Sequence, residues 1–254
     1  MPFFEVPGPQ STGLRLAYDV EGDGPPIVLV HGFASNRATN WRSPGWYRAL
    51  ADAGRMVIGL DVRGHGDSDK PHDPAAYDEG ELERDVVRLL DHLKIERADV
   101  MGYSMGGFIT LRLLAEQPRR LNSAIIAGVG ENYYRPTSAN GGKIAEGLRA
   151  ATSRDVKDPV ARQFRVFAEH GKNDLEALAL CMLRPRLTIS SFPDAGVPVL
   201  IVVGATDSIA GDPQVLADRV PNSQVVVVPN RDHMLTVGDK VYKDAVIAFL
   251  NARK

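Results

Sequence analysis

Apolar positions along this chain follow two rhythms. Continuous runs rich in valine and isoleucine recur at PIVLV, MVIGL, ADVMGY, NSAIIA, PVLIVV and SQVVVV. Runs without alternation are the mark of strands buried on both faces of a mainly parallel sheet. Between them stand amphipathic segments, WYRALADAG, GELERDVVRLLDHLK, GGFITLRLLAEQ, PQVLADRV and KVYKDAVIAFLNARK, whose apolar residues have helical spacing. Leu82, Val86, Leu89, Leu90 and Leu93 are an example. The alternation predicts a wound α/β sheet. LRLAYDV alternates instead and runs into the turn GDGPP, which predicts an antiparallel strand near the sheet's edge.

The rhythm breaks between residues 131 and 193, where no strand-like run occurs. Asp158 followed by Pro159 is a helix start, with Asp as N-cap and Pro at the first helical position. Val160, Phe164 and Phe167 then supply an apolar face. Asn173 and Asp174 form another start, before Leu175, Leu178 and Met182. The expected organisation is a core made of residues 1–130 and 194–254, with a helical lid at 131–193 over one end of the sheet.

Composition narrows the function classes. The 254 residues carry 44% apolar and 24% charged side chains and a net charge of −2. That is ordinary globular composition, with no basic excess to bind nucleic acid or an anionic membrane. No run approaches the ~18 apolar residues of a membrane span. The opening MPFFEVPGPQ lacks the basic and apolar regions of a signal peptide. The lone Cys181 cannot form an internal disulfide and reads as a buried apolar filler. A cytoplasmic protein is expected; oligomeric state is not legible.

One pentapeptide changes the picture. Gly102-Tyr103-Ser104-Met105-Gly106 closes a predicted strand and opens a predicted helix. A chain passing from strand to helix within two residues turns sharply and pushes its serine outward. Flanking glycines remove Cβ atoms that would collide across the turn. Helix N-terminal N–H groups stand beside the serine, suited to an oxyanion. Alone, the motif is equally a capping serine in a glycine-rich turn.

A serine nucleophile needs a base, and histidine is the usual one. His72, His92 and His170 read as solvated and His65 as a loop residue. His233, in PNRDHML, follows the last predicted strand, at the same sheet edge as Ser104. Asp207, in VVGATDS, follows the penultimate strand at that edge and can orient the imidazole. The order Ser104, Asp207, His233 is that of an α/β-hydrolase triad. Asp232 and Glu131 are rival acids, but a side chain adjacent to His233 in a loop usually diverges from it, and Asp207 is preferred. His31-Gly32-Phe33 follows the strand IVLV; the N–H groups of Phe33 and Met105 are the candidate oxyanion hole, and His31 reads as a brace for that loop.

HGF, then DVRGHGDS, GYSMGG, GATD and DH together resemble the α/β-hydrolase fold superfamily, in particular its small single-domain carboxylesterase-like serine hydrolases. The resemblance implies an eight-stranded, mostly parallel sheet with an antiparallel second strand, flanked by helices, with a short helical lid after the sixth strand. It implies a serine esterase acting on small or medium esters through an acyl-enzyme. No metal or organic cofactor is called for, since the sequence has no C-x-x-C pair, no H-E-x-x-H and no Rossmann or P-loop glycine pattern.

Two other readings use the same triad residues. A carbon–carbon bond hydrolase of ring-fission type would need a polar lid group such as Arg162, Arg165 or Arg184, although arginines on such helices are usually solvated. A non-hydrolytic ligand receptor is the other. Phe164, Phe167 and Leu187 either line an acyl pocket or seat the lid on the core. Trp41 and Trp46 fit flanking or core roles.

Overall fold

A computed structural model describes residues 2–11, 13–135, 138–185 and 188–253. Leu187 lies outside them. The strands are β1 (Phe3–Pro7), β2 (Gly13–Glu21), β3 (Pro26–Val30), β4 (Met56–Leu60), β5 (Ala98–Tyr103), β6 (Leu121–Ala127), β7 (Val199–Gly204) and β8 (Ser223–Val228). They form one sheet in the order β1-β2-β4-β3-β5-β6-β7-β8. β2 pairs antiparallel with both β1 and β4, and the pairings from β4 through β8 are parallel.

The continuous apolar runs are explained by what covers them. Ile27 and Leu29 of β3 face the side packed by α1 (Trp46–Asp52) and α8 (Lys240–Asn251), within a cluster holding Trp46, Leu50, Tyr242 and Phe249. Val28 and Val30 face the other side, packed by α2 (Glu81–His92) and α3 (Met105–Glu116) through Leu82, Val86, Ile109 and Leu113. Successive side chains point to opposite faces of a strand, so a doubly covered strand needs apolar residues throughout.

At the sheet's edges one expectation is met and one is corrected. LRLAYDV in β2 is antiparallel and near the edge, as expected, with FFEVP pairing outside it as β1 and burying Phe4 and Val6. β8 is apolar in sequence but lies at the other edge, where Val227 is 48% exposed. Trp41 and Trp46 are fully buried core residues.

Between β6 and β7 lie α4 (Ser138–Arg149), α5 (Pro159–His170) and α6 (Leu175–Leu183). α7 (Pro213–Ala217) follows β7. Asp158 caps α5 by accepting from the Val160 and Ala161 N–H groups, and Asp174 caps α6 by accepting from Ala177 N–H. The buried face of α5 differs from the expected one. Ala161, Arg165 and Ala168 are buried, and Val160 is exposed. Small residues permit close packing on α4, and Arg165 Nη1 donates to the carbonyls of Gly147, Leu148 and Ala150 at its C-terminal end. Arg165 is therefore a buried structural cap and not the solvated side chain expected. Among the described residues no helix is long and apolar enough to cross a membrane.

Candidate active site

The turn from β5 into α3 holds Ser104 at φ 52° and ψ −111°. A non-glycine residue there costs roughly 1–3 kcal/mol and persists only because its surroundings fix it. Ser104 N–H donates to Ala127 O at 2.8 Å, and Ser104 O accepts from Phe108 N–H at 3.1 Å. A Cβ on Gly102 would lie 2.0 Å from Gly106 O, and one on Gly106 would lie 2.0 Å from Val30 O. Both glycines are required by backbone approach across the elbow.

Loops after β7 and β8 carry the other candidates. Asp207 Oδ1 accepts from the Ile209 and Ala210 N–H groups at 3.0 and 2.8 Å, which leaves Oδ2 to accept from His233 Nδ1 at 2.7 Å. A carboxylate partner puts the imidazole proton on Nδ1 and leaves the Nε2 lone pair free. Thr206 N–H donates to Arg231 O, tying the two loops together. Tyr103, beside the serine, donates its hydroxyl to His233 O at 2.5 Å. Among the described residues Ser104 Oγ makes no hydrogen bond to the imidazole. Both residues lie beside the bare backbone of Gly128, where a Cβ would stand 3.0 Å from His233 Cε1 and 3.4 Å from the Ser104 backbone nitrogen.

The rival acids point elsewhere. Asp232 Oδ1 accepts from the N–H groups of Met234 and Leu235, closing its own turn. Glu131 is paired with Arg135.

The other histidine after a strand, His31, has both ring nitrogens engaged. Nδ1 donates to Gly32 O at 2.7 Å, and Nε2 accepts from Val62 N–H at 3.0 Å. Gly32 N–H donates to Asn40 Oδ1 at 2.9 Å. The peptide carrying the Phe33 N–H is thus held by its carbonyl, and a trans peptide sends its N–H the opposite way. Neither Phe33 N–H nor Met105 N–H donates to another described residue. The segment at 61–68 supports this loop: Asp61 accepts from Arg37 N–H and from the Arg37 guanidinium.

His65 lies in a loop, as expected, and is fully buried there, 0% exposed. Its Nδ1 donates to Arg63 O at 3.1 Å, and Nε2 has no partner among the described residues. Burial pushes this imidazole well below the ordinary histidine value, and the nearby His31 pushes it further. Folded, it stays neutral; unfolded, it takes a proton as pH falls through about 6.5. Its contribution is therefore full above ~6.5 and is lost below, at up to ~1.4 kcal/mol per pH unit. Urea unfolding at pH 7, 6 and 5 is expected to show a shallower acid-side loss of stability in His65→Asn than in wild type. Parallel profiles would reject the assignment.

Ser104, His233, Gly32 and Phe33 line a cavity of about 480 Å³. Phe164, Phe167, Ile209, Met234 and Val237 form its apolar wall, and Asn40, Gln163 and His170 are among its polar groups. Among the described residues no Lys, Arg, Asp or Glu lines it. Arg162 donates to Val156 O and Arg184 to Cys181 O, both away from the cavity. Cys181 is buried, with Sγ 3.9 Å from Met105 Sδ. Among the described residues no group of three His, Cys, Asp or Glu side chains is placed to hold a metal ion. Of the apolar wall, Phe164 and Phe167 are the residues the sequence offers; the roles of Tyr103 and Asn40, and the wall residues Ile209, Met234 and Val237, escape sequence reasoning, because their placement depends on contacts across the fold.

Comparison with known proteins agrees with this architecture. The chain is 33% identical to the dihydrolipoyllysine-residue acetyltransferase component of the acetoin cleaving system of Pseudomonas putida, over 90% of this chain and 65% of that protein. It thus spans less than two thirds of that relative's length. It is 28% identical to 3-oxoadipate enol-lactonase 2 of Acinetobacter baylyi, over 86% of each chain. A thermophilic esterase from Thermogutta terrifontis superposes with a TM-score of 0.78 at 22% identity, covering 100% of this chain and 99% of that one. The family model for the alpha/beta hydrolase fold matches residues 25–166, more than half of the sequence, and the chain belongs to that family.

Proposed function

We propose that this protein is a serine hydrolase that cleaves uncharged carboxylic esters through an acyl-enzyme. One observation carries the reading: a serine on a strained elbow shares a cavity with a histidine whose tautomer is fixed by a buried aspartate. In this mechanism His233 Nε2 takes the Ser104 proton as Oγ attacks the ester carbonyl. The N–H groups of Phe33 and Met105 receive the oxyanion. Collapse expels the alcohol, which takes the proton from His233. Water, activated by the same imidazole, then releases the acid. The Ser104–His233 hydrogen bond is expected to form as substrate fills the cavity, since such bonds are often long in empty sites. The helices at 131–193 act as the lid, with Phe164 and Phe167 lining the acyl side.

The lining sets the substrate's charge. Among the described residues the lining holds no lysine or arginine to pair with a carboxylate or enolate, which would meet an apolar wall and a few polar side chains such as Asn40, Gln163 and His170. Burying an unpaired carboxylate costs several kcal/mol. The same absence disfavours a ring-fission carbon–carbon hydrolase, because Arg162, Arg165 and Arg184 are all committed elsewhere.

Rates on p-nitrophenyl esters of neutral acyl chains and of half-acids of equal length test this. The neutral series is expected to exceed the half-acids by about 10²-fold or more in kcat/KM. Equal rates would reject the charge argument, and no turnover of either series would reject the hydrolase.

A further inference from the structure

We propose that Asn173, on the turn between α5 and α6, is a positioning residue for the oxyanion donor Phe33; the inference rests on the serine-hydrolase reading. Ser35 N–H donates to Gly32 O at 3.2 Å, closing a turn with Phe33 and Ala34 at its centre. Ala34 occupies this turn at φ 56°, a left-handed conformation that ordinarily goes to glycine or asparagine. An alanine freed from restraint leaves that region, and the Ser35–Gly32 bond opens with it. Gly32 O and Phe33 N–H belong to one peptide plane, so once the Ser35 bond opens the donor's aim rests on His31 Nδ1 alone, and the peptide is less firmly held.

The restraint on Ala34 comes from the helical segment. Asn173 Nδ2 donates to Ala34 O at 3.0 Å and to Ala168 O at 3.3 Å, so one amide spans the end of α5 and the strained residue. The Asn173 backbone N–H also donates to Ala168 O, at 3.1 Å, which anchors the side chain's stem. A second contact runs beside it: Phe164 of α5 meets Phe33 edge-on, with ring centroids 5.8 Å apart. The helical segment therefore does more than roof the cavity. It holds the backbone that binds the transition state.

Steady-state kinetics of the full chain on a neutral p-nitrophenyl ester, with active-site titration, test the assignment. Asn173→Ala is expected to lower kcat about ten-fold, the scale of the left-handed penalty for an L-residue, with KM within about two-fold of wild type. An interaction used mainly in the transition state moves kcat and spares KM. Gly171→Ala provides a variant that leaves the asparagine in place. Its Cβ would stand 2.5 Å from Asn173 Nδ2, while its φ of −76° accepts alanine, so it displaces the amide with little cost to the helix. It is expected to lower kcat in the same direction. Ala34→Gly in the Asn173→Ala background is expected to recover part of the loss, because glycine takes φ > 0 freely.

Wild-type kcat per titrated site in both Asn173→Ala and Gly171→Ala, or no recovery with Ala34→Gly, overturns the inference. In either case wild-type turnover leaves the hydrolase reading standing. Absence of turnover in the wild type sinks that reading itself, and the inference with it.

Discussion

Ser104→Ala is expected to lower kcat/KM on a neutral ester by at least ~10³-fold, and toward ~10⁶-fold if turnover depends wholly on the nucleophile. The fold is expected to survive. The elbow is held by backbone bonds, Ser104 N–H to Ala127 O and Phe108 N–H to Ser104 O, and alanine keeps both. Alanine also meets the same steric demand at φ 52°, so the strain is unchanged. Any loss of rate is then chemical. A serine-directed fluorophosphonate should add its mass to the peptide containing Ser104 in wild type and leave the variant unlabelled. If Ser104→Ala retained more than about a tenth of wild-type kcat, Ser104 would be only a turn residue ahead of α3, where its side chain makes no capping bond.

Most of this architecture is legible in the sequence, and the exceptions have physical causes. Strands covered on both faces must be apolar at every position, so β3 through β7 read directly. β8 reads the same way but lies at the edge, because apolar character does not report which neighbour is absent. β1 does not stand out, because its five residues alternate and end at Pro7, too short a run without β2 beside it. α4 contains Gly141 and Gly142, which argue against helix on propensity alone; packing on α5 and α6 outweighs that cost. The candidate site was legible because strand ends in a parallel sheet converge, so Ser104, Asp207 and His233 could be placed from chain order. Asn40 and Asn173 were not, because each acts through one amide reaching a backbone group distant in sequence. Burial of His65 depends likewise on surroundings that a loop sequence does not reveal.

Asp207→Asn is expected to lower kcat by about 10⁴-fold, the scale seen when a triad carboxylate becomes an amide. The reason lies in how its two oxygens are shared. Oδ1 accepts from two backbone N–H groups, Ile209 and Ala210, and as donors both need an oxygen at that position. An asparagine there must turn its NH₂ toward His233, where Oδ2 now accepts from Nδ1. The imidazole answers by moving its proton to Nε2, which then faces Ser104 as a donor and cannot take a proton from it. Rotating the amide instead would set NH₂ against the two N–H groups, so neither orientation restores the base. Asp232→Asn and Glu131→Gln, measured beside it, are expected to stay within a few-fold of wild type. Asparagine can still accept from Met234 and Leu235 N–H, and the Glu131 carboxylate pairs with the exposed Arg135. A loss in Asp232→Asn equal to that in Asp207→Asn would move the acid to the neighbouring residue. A small loss in all three would mean that His233 works without a carboxylate partner.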